Sequence, residues 1–68
     1  MRSYLKKLRK EKHLTQQDVA DRLGLAQNSY SMIESGERQK RMSIDMAQKL
    51  SSALDVPIDA ILKNENIG

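Results

Sequence analysis

Between Gln16 and Ser35 the chain reads QQDVADRLGLAQNSYSMIES, two short amphipathic segments on either side of Gly24-Leu25. Val19, Leu23, Leu25, Tyr30 and Ile33 recur at helical spacing, and Ala20 is small enough for two helix axes to approach closely. Gly24 supplies the left-handed residue that ends the first segment in a single tight turn. Few folds accept this arrangement. It predicts two helices crossing at a steep angle, the second holding polar Gln27, Asn28 and Ser31 outward.

The remaining sequence supplies elements to brace that pair. A first helix is expected over roughly Ser3 to Lys12, with Tyr4, Leu5 and Leu8 on one face and a turn at His13-Leu14. Thr15 is placed to cap the second helix, with Asp18 three residues on as a shorter relative of the capping-box Glu. The third helix is expected from about Gln27 to Ser35, stopping at Gly36. Glu37 to Met42 reads as a polar, basic loop. Ser43 then caps a fourth helix carrying Ile44, Ala47, Leu50 and Leu54. Asp55-Val56-Pro57 breaks it, Ile58 to Leu62 forms a short fifth helix, and residues 63–68 read as a frayed tail. Strand signals are weak, so the expected fold is all-α, with residues 1–68 as one domain.

Composition narrows the function. There is no cysteine and one histidine, His13, so disulfides, thiolate metal sites and clustered His sites are excluded and a reducing cytoplasm is the expected compartment. No apolar run approaches the ~20 residues of a membrane span, and the basic N-terminus lacks the apolar stretch of a secretory signal. No Gly-rich phosphate loop is present and the carboxylates are scattered, so no enzymatic activity and no cofactor or small-molecule ligand is expected. The formal net charge of +3 fits a polyanion partner. Its distribution says more: Arg2, Lys6, Lys7, Arg9, Lys10 and Lys12 crowd the first segment, and Arg38, Lys40 and Arg41 form a second cluster.

The order of these pieces resembles the Cro/repressor-type (Xre-type) helix-turn-helix family. The resemblance rests on L8-R9-K10-E11-K12 before L14-T15-Q16, V19-A20…L23-G24, I33-E34-x-G36, and A53-L54-D55-V56-P57…I61-L62, in the family's order across nearly the whole chain. It implies a compact, five-helix, lambda-repressor-like domain in which helices two and three form the helix-turn-helix. The sequence departs from the family at His13, where Gly or Asn is usual, and at Ala26, where Ser or Thr usually caps the third helix. The loop Gly36-Glu37-Arg38-Gln39-Lys40-Arg41-Met42-Ser43 is longer than the family's and lacks its proline.

What the resemblance implies for individual residues follows from the family's docking on double-stranded DNA. Gln27, Asn28 and Met32 fall where base edges are read; Gln and Asn can each pair bidentately with adenine, and Met32 can touch a thymine methyl. Gln16 falls where an amide at a helix N-terminus holds a phosphate. Ser29, Ser31, Arg38, Lys40 and Arg41 are expected at the phosphate backbone, with Arg2 and Lys6 the first-helix candidates. Arg9 and Glu34 fall where the family ties its first helix to its third by an ion pair. The implied function is a sequence-specific transcriptional regulator, a bacterial or phage repressor reading a near-palindromic operator as a homodimer. Val56, Pro57, Ile58 and Ile61 are the expected dimer surface.

Two other classes compete with that reading. An antitoxin-like module would bind a toxin partner as well as its operator, and the absence of a long tail beyond the fifth helix argues against it. A membrane-surface element would need a broad bulky apolar face on the first helix, which the sequence lacks.

Overall fold

The computed structural model describes residues 2–65. Five helices follow one another: α1 (Ser3–Glu11), α2 (Gln16–Leu23), α3 (Gln27–Ser35), α4 (Ile44–Leu54) and α5 (Asp59–Leu62). Among the described residues there is no strand, as the weak strand signals predict. The ends of the first and fifth helices differ from expectation by one residue each, the ordinary uncertainty of a fraying terminus.

Local chemistry sets most of the boundaries. Thr15 Oγ1 accepts the Asp18 N–H at 3.1 Å while Asp18 Oδ2 accepts the Thr15 N–H at 2.9 Å, a complete capping box at the start of α2. That bond to Thr15 holds the Asp18 carboxyl below its ordinary value. Ser43 Oγ accepts the Met46 N–H at 3.1 Å and starts α4 in the same way. α2 closes at Gly24, φ 72°, with the Leu25 N–H reaching back to Ala20 O at 2.9 Å. α4 closes through the same geometry with Asp55 in the left-handed position, φ 55°, and the Val56 N–H on Ser51 O at 3.0 Å. An aspartate tolerates that conformation better than most residues because its short polar side chain bonds locally.

Gly24 isolates the cost of a backbone conformation. A β-carbon built there meets nothing within 4 Å, so substitution is resisted by φ alone. Gly24→Ala is therefore expected to destabilise the chain by about 1 kcal/mol, the left-handed strain less the entropy lost from the unfolded chain. Urea unfolding followed by circular dichroism measures it; an unchanged midpoint would mean that the turn relaxes.

The helices enclose one apolar cluster. α2 packs against α3 and α4, α1 lies along α3, and α5 folds back on α4. Leu5, Val19, Ala20, Tyr30, Ala47, Leu50, Leu54 and Ile61 are completely buried, and Ile33, Met42 and Ala53 nearly so. Each fully buried Leu, Ile or Val contributes about 1.5–3 kcal/mol relative to exposure.

Two expectations about α4 and the chain end need correction. Ile44, read as part of the apolar face, is 49% exposed in the first turn, and Met42 from the preceding loop makes the core contact at that end. The frayed tail does not begin at Lys63. Glu65 sits against Arg2, with its side chain 11% exposed, so the turn after α5 is docked through that residue. Residues 66–68 lie outside the described residues.

Candidate nucleic-acid interface

The crossing of α2 and α3 is held from beneath by polar bonds as well as by packing. Arg9, on α1, donates from Nε to Glu34 Oε2 at 3.0 Å and from Nη2 to Glu34 Oε1 at 3.4 Å. Its Nη1 donates to Leu14 O at 3.0 Å, closing the turn before α2. Both ends of the pair are buried, Arg9 at 8% and Glu34 at 3% exposure. Gln16, the first residue of α2, donates from Nε2 to Glu34 Oε1 at 3.3 Å. A single carboxylate on α3 thus ties down α1 and the N-terminus of α2.

The electrostatics match this geometry. Burial works to raise the Glu34 pKa, but the Arg9 guanidinium, with the Tyr30 hydroxyl and the Gln16 amide beside it, outweighs that and holds the carboxyl below its usual range. The same carboxylate raises the Arg9 pKa. Tyr30 is fully buried; its hydroxyl lies beside Glu34 without reaching hydrogen-bond geometry, and burial pushes its pKa upward.

With Tyr30, Ile33 and Glu34 turned inward, the opposite side of α3 is free. Gln27 and Asn28 are exposed, whereas Ser29, Ser31 and Met32 are half-buried. Ala26 stands at the N-cap with extended φ/ψ of −70° and 153° but offers no side-chain acceptor, so the first N–H groups of α3 have no side-chain cap. Gln16 is half-buried, its amide already engaged by Glu34, so a phosphate there would meet a pre-oriented donor with one N–H committed.

After α3 the chain turns at Gly36, φ 90°, and runs through a loop with Gln39 also at positive φ, 53°. Arg38, Lys40 and Arg41 are exposed along it, and Met42 anchors its end in the core. The Arg38 N–H bonds back to Met32 O at 3.0 Å, and Gln39 Oε1 accepts the Ser43 N–H at 3.3 Å. The loop is thus bonded at both ends despite its length.

Two placements depart from the sequence reading. Arg2, a candidate phosphate contact, is 7% exposed, with its guanidinium committed to Glu65 and to the carbonyls of Ile33, Arg38 and Gln39. Lys6 remains exposed. Ile61, expected on a dimer surface, is 0% exposed inside the monomer's own core, because so short a helix docks on α4 through its one completely buried side chain. Val56 and Ile58 are half-buried and Pro57 is exposed, so that part of the surface remains accessible. Sequence reasoning also missed Arg22, whose Nη1 donates to Ala53 O at 2.8 Å and links α2 to α4.

Among the described residues no group of three His, Asp or Glu side chains is placed to hold a metal ion, and no helix is long and apolar enough to cross a membrane.

Comparison with known proteins adds to this geometry. The helix-turn-helix family matches residues 5–61 of the chain. Over 62 residues, 91% of the chain, the sequence is 42% identical to an uncharacterized HTH-type transcriptional regulator, YqaE, of Bacillus subtilis (strain 168). The chain spans about half, 52%, of that relative's length. No solved structure matches the chain.

Proposed function

Since the chain belongs to the Xre-type helix-turn-helix family, we propose that it binds double-stranded DNA sequence-specifically and regulates transcription as a repressor. The observation that carries this reading is the exposure of Gln27 and Asn28 at the leading end of α3, on a helix whose inner side is fixed to α1 and α2. Amides held that way can read adenine in the major groove. Met32, half-buried, contributes an apolar contact at the edge of the same face. Gln16, Ser29 and Ser31 bond phosphates beside it, and exposed Arg38, Lys40 and Arg41 add attraction that is blind to sequence.

The operator is a near-palindrome read by a homodimer, whose two α3 helices lie about 34 Å apart, one turn of B-DNA. Val56, Pro57 and Ile58 form the contact between subunits. The relative's own description as a transcriptional regulator accords with this reading.

Selecting bound sequences from a random duplex pool, then comparing the winner with random DNA across a salt series, tests the proposal. Equal affinity for both would sink it. Asn28→Ala is expected to weaken binding to the selected site by about 1–3 kcal/mol and leave random DNA unaffected, as loss of a bidentate base contact requires. Arg41→Ala should weaken both alike and flatten the salt dependence.

A further inference from the structure

The last turn of any α-helix leaves carbonyls without partners inside the helix. For α3 the Gly36 and Arg38 N–H groups reach Ile33 O and Met32 O locally, and one residue far away in sequence adds two more bonds. The Arg2 N–H donates to Glu34 O at 2.8 Å, and Arg2 Nη1 donates to Ile33 O at 2.6 Å. The same guanidinium continues into the loop, with Nη1 on Arg38 O at 3.1 Å and Nη2 on Gln39 O. Its fourth partner orients it: Nε donates to Glu65 Oε2 at 2.6 Å, and the Tyr4 hydroxyl donates to the same carboxylate oxygen. A cation at this end also meets the negative pole of the α3 dipole.

We propose that Arg2 is a positioning residue for DNA binding, which touches no DNA and acts by fixing the C-terminal end of α3 and the backbone at residues 38 and 39 that leads into Lys40 and Arg41. Glu65 is its orienting partner. The proposal rests on the DNA-binding reading above for its consequence, and on the bond pattern alone for its mechanism. Two features make this hold matter. α3 has no side-chain cap at its other end, so its tertiary bonds concentrate at Glu34 and at the carbonyls Arg2 reaches. The loop adopts positive φ at Gly36 and Gln39, and Arg2 binds carbonyls on both sides of Gln39, the one of the two where a side chain makes that conformation costly.

A guanidinium fits the task because its planar fork presents five donors in fixed directions. Lysine keeps the charge but not the fork. Arg2→Met keeps much of the apolar stem and removes every side-chain donor.

The test uses the full chain and two readouts. The first needs no DNA. In Arg2→Met the Arg38 amide is expected to exchange hydrogen about tenfold faster relative to the α4 core amides, as loss of one or two net hydrogen bonds allows. Glu65→Gln, a milder change that keeps an acceptor, should shift the same amide in the same direction by less. Equal acceleration of loop and core amides in both variants would show only general loosening and overturn the proposal.

The second readout is binding to duplex DNA across a salt series. Arg2→Met is expected to flatten the log–log salt slope by about 0.9 for each phosphate contact the loop loses. Introduced into Lys40→Ala/Arg41→Ala, the same substitution should have little further effect. A full additive loss there, or complete rescue by Arg2→Lys, would mean that Arg2 acts through its own charge on DNA, and the proposal fails. If the wild-type chain binds no DNA, the function proposed above falls, while the exchange ratio still decides whether Arg2 holds the loop.

Discussion

Glu34→Ala is expected to destabilise the chain by about 3–5 kcal/mol, the cost of stripping one partner from a buried ion pair. A chain of 68 residues has only about 3–10 kcal/mol of stability in total, so much of the population should be unfolded in water. The size of the effect follows from what remains. Arg9, 8% exposed, would keep a single bond, to Leu14 O, and otherwise face a void. Gln16 would lose its acceptor on α3 as well. Removing both charges is a different experiment: Arg9→Met/Glu34→Leu should recover most of the stability, because neither change leaves a buried charge alone. Urea titrations of the two variants and the wild type check this, and a loss below about 1 kcal/mol for Glu34→Ala would mean that water enters to solvate Arg9.

The same carboxylate gives stability a pH dependence of known sign. Its folded pKa is depressed, so the folded state binds its proton less readily than the unfolded chain. The stabilisation is therefore complete above the unfolded value of about 4.3 and is lost as pH falls to and through the lower folded value. Glu34→Gln should flatten the acid limb of the stability curve and leave the neutral region level.

Ile61→Ala is expected to cost about 2–5 kcal/mol, the range for emptying a fully buried aliphatic site. α5 has four residues and Ile61 is its one completely buried side chain, so truncation should undock the helix and expose the part of α4 it covers. The loss should be the same at every protein concentration. A midpoint that fell only at high dilution would instead place Ile61 between subunits. Lys63→Ala, at an exposed position outside the proposed contact between subunits, provides the contrast, with no more than about 0.5 kcal/mol expected.

What the sequence made legible divides along the range of the interactions. Thr15, Gly24 and Ser43 act on neighbours three to five residues away, and their patterns name their partners. The pairing of Arg9 with Glu34, 25 residues apart, came from family resemblance, since nothing local to either residue specifies the other. The basic residues around Arg2 suggest an outward face, yet its side-chain partners lie 31 to 63 residues away. No spacing rule reaches that far. Met42 is a different case. An apolar residue just before a capping serine is the usual position of a hydrophobic staple, so a local signal was present in a segment whose charge drew the reading the other way. For the candidate interface, periodicity separated Tyr30 and Ile33 from Gln27 and Asn28, but it could not show that Gln16 is drawn toward Glu34.

The free leading end of α3 also bears on how such a chain diverges. Gln27 and Asn28 stand clear of the core, so their replacement disturbs neither the burial of Tyr30 and Ile33 nor the hold on Glu34. Surface changes of that kind alter stability by no more than about 0.5 kcal/mol. If Gln27 and Asn28 read bases as proposed, target preference can drift under selection while the scaffold stays intact, and two recently duplicated copies would first part company at positions 27 and 28.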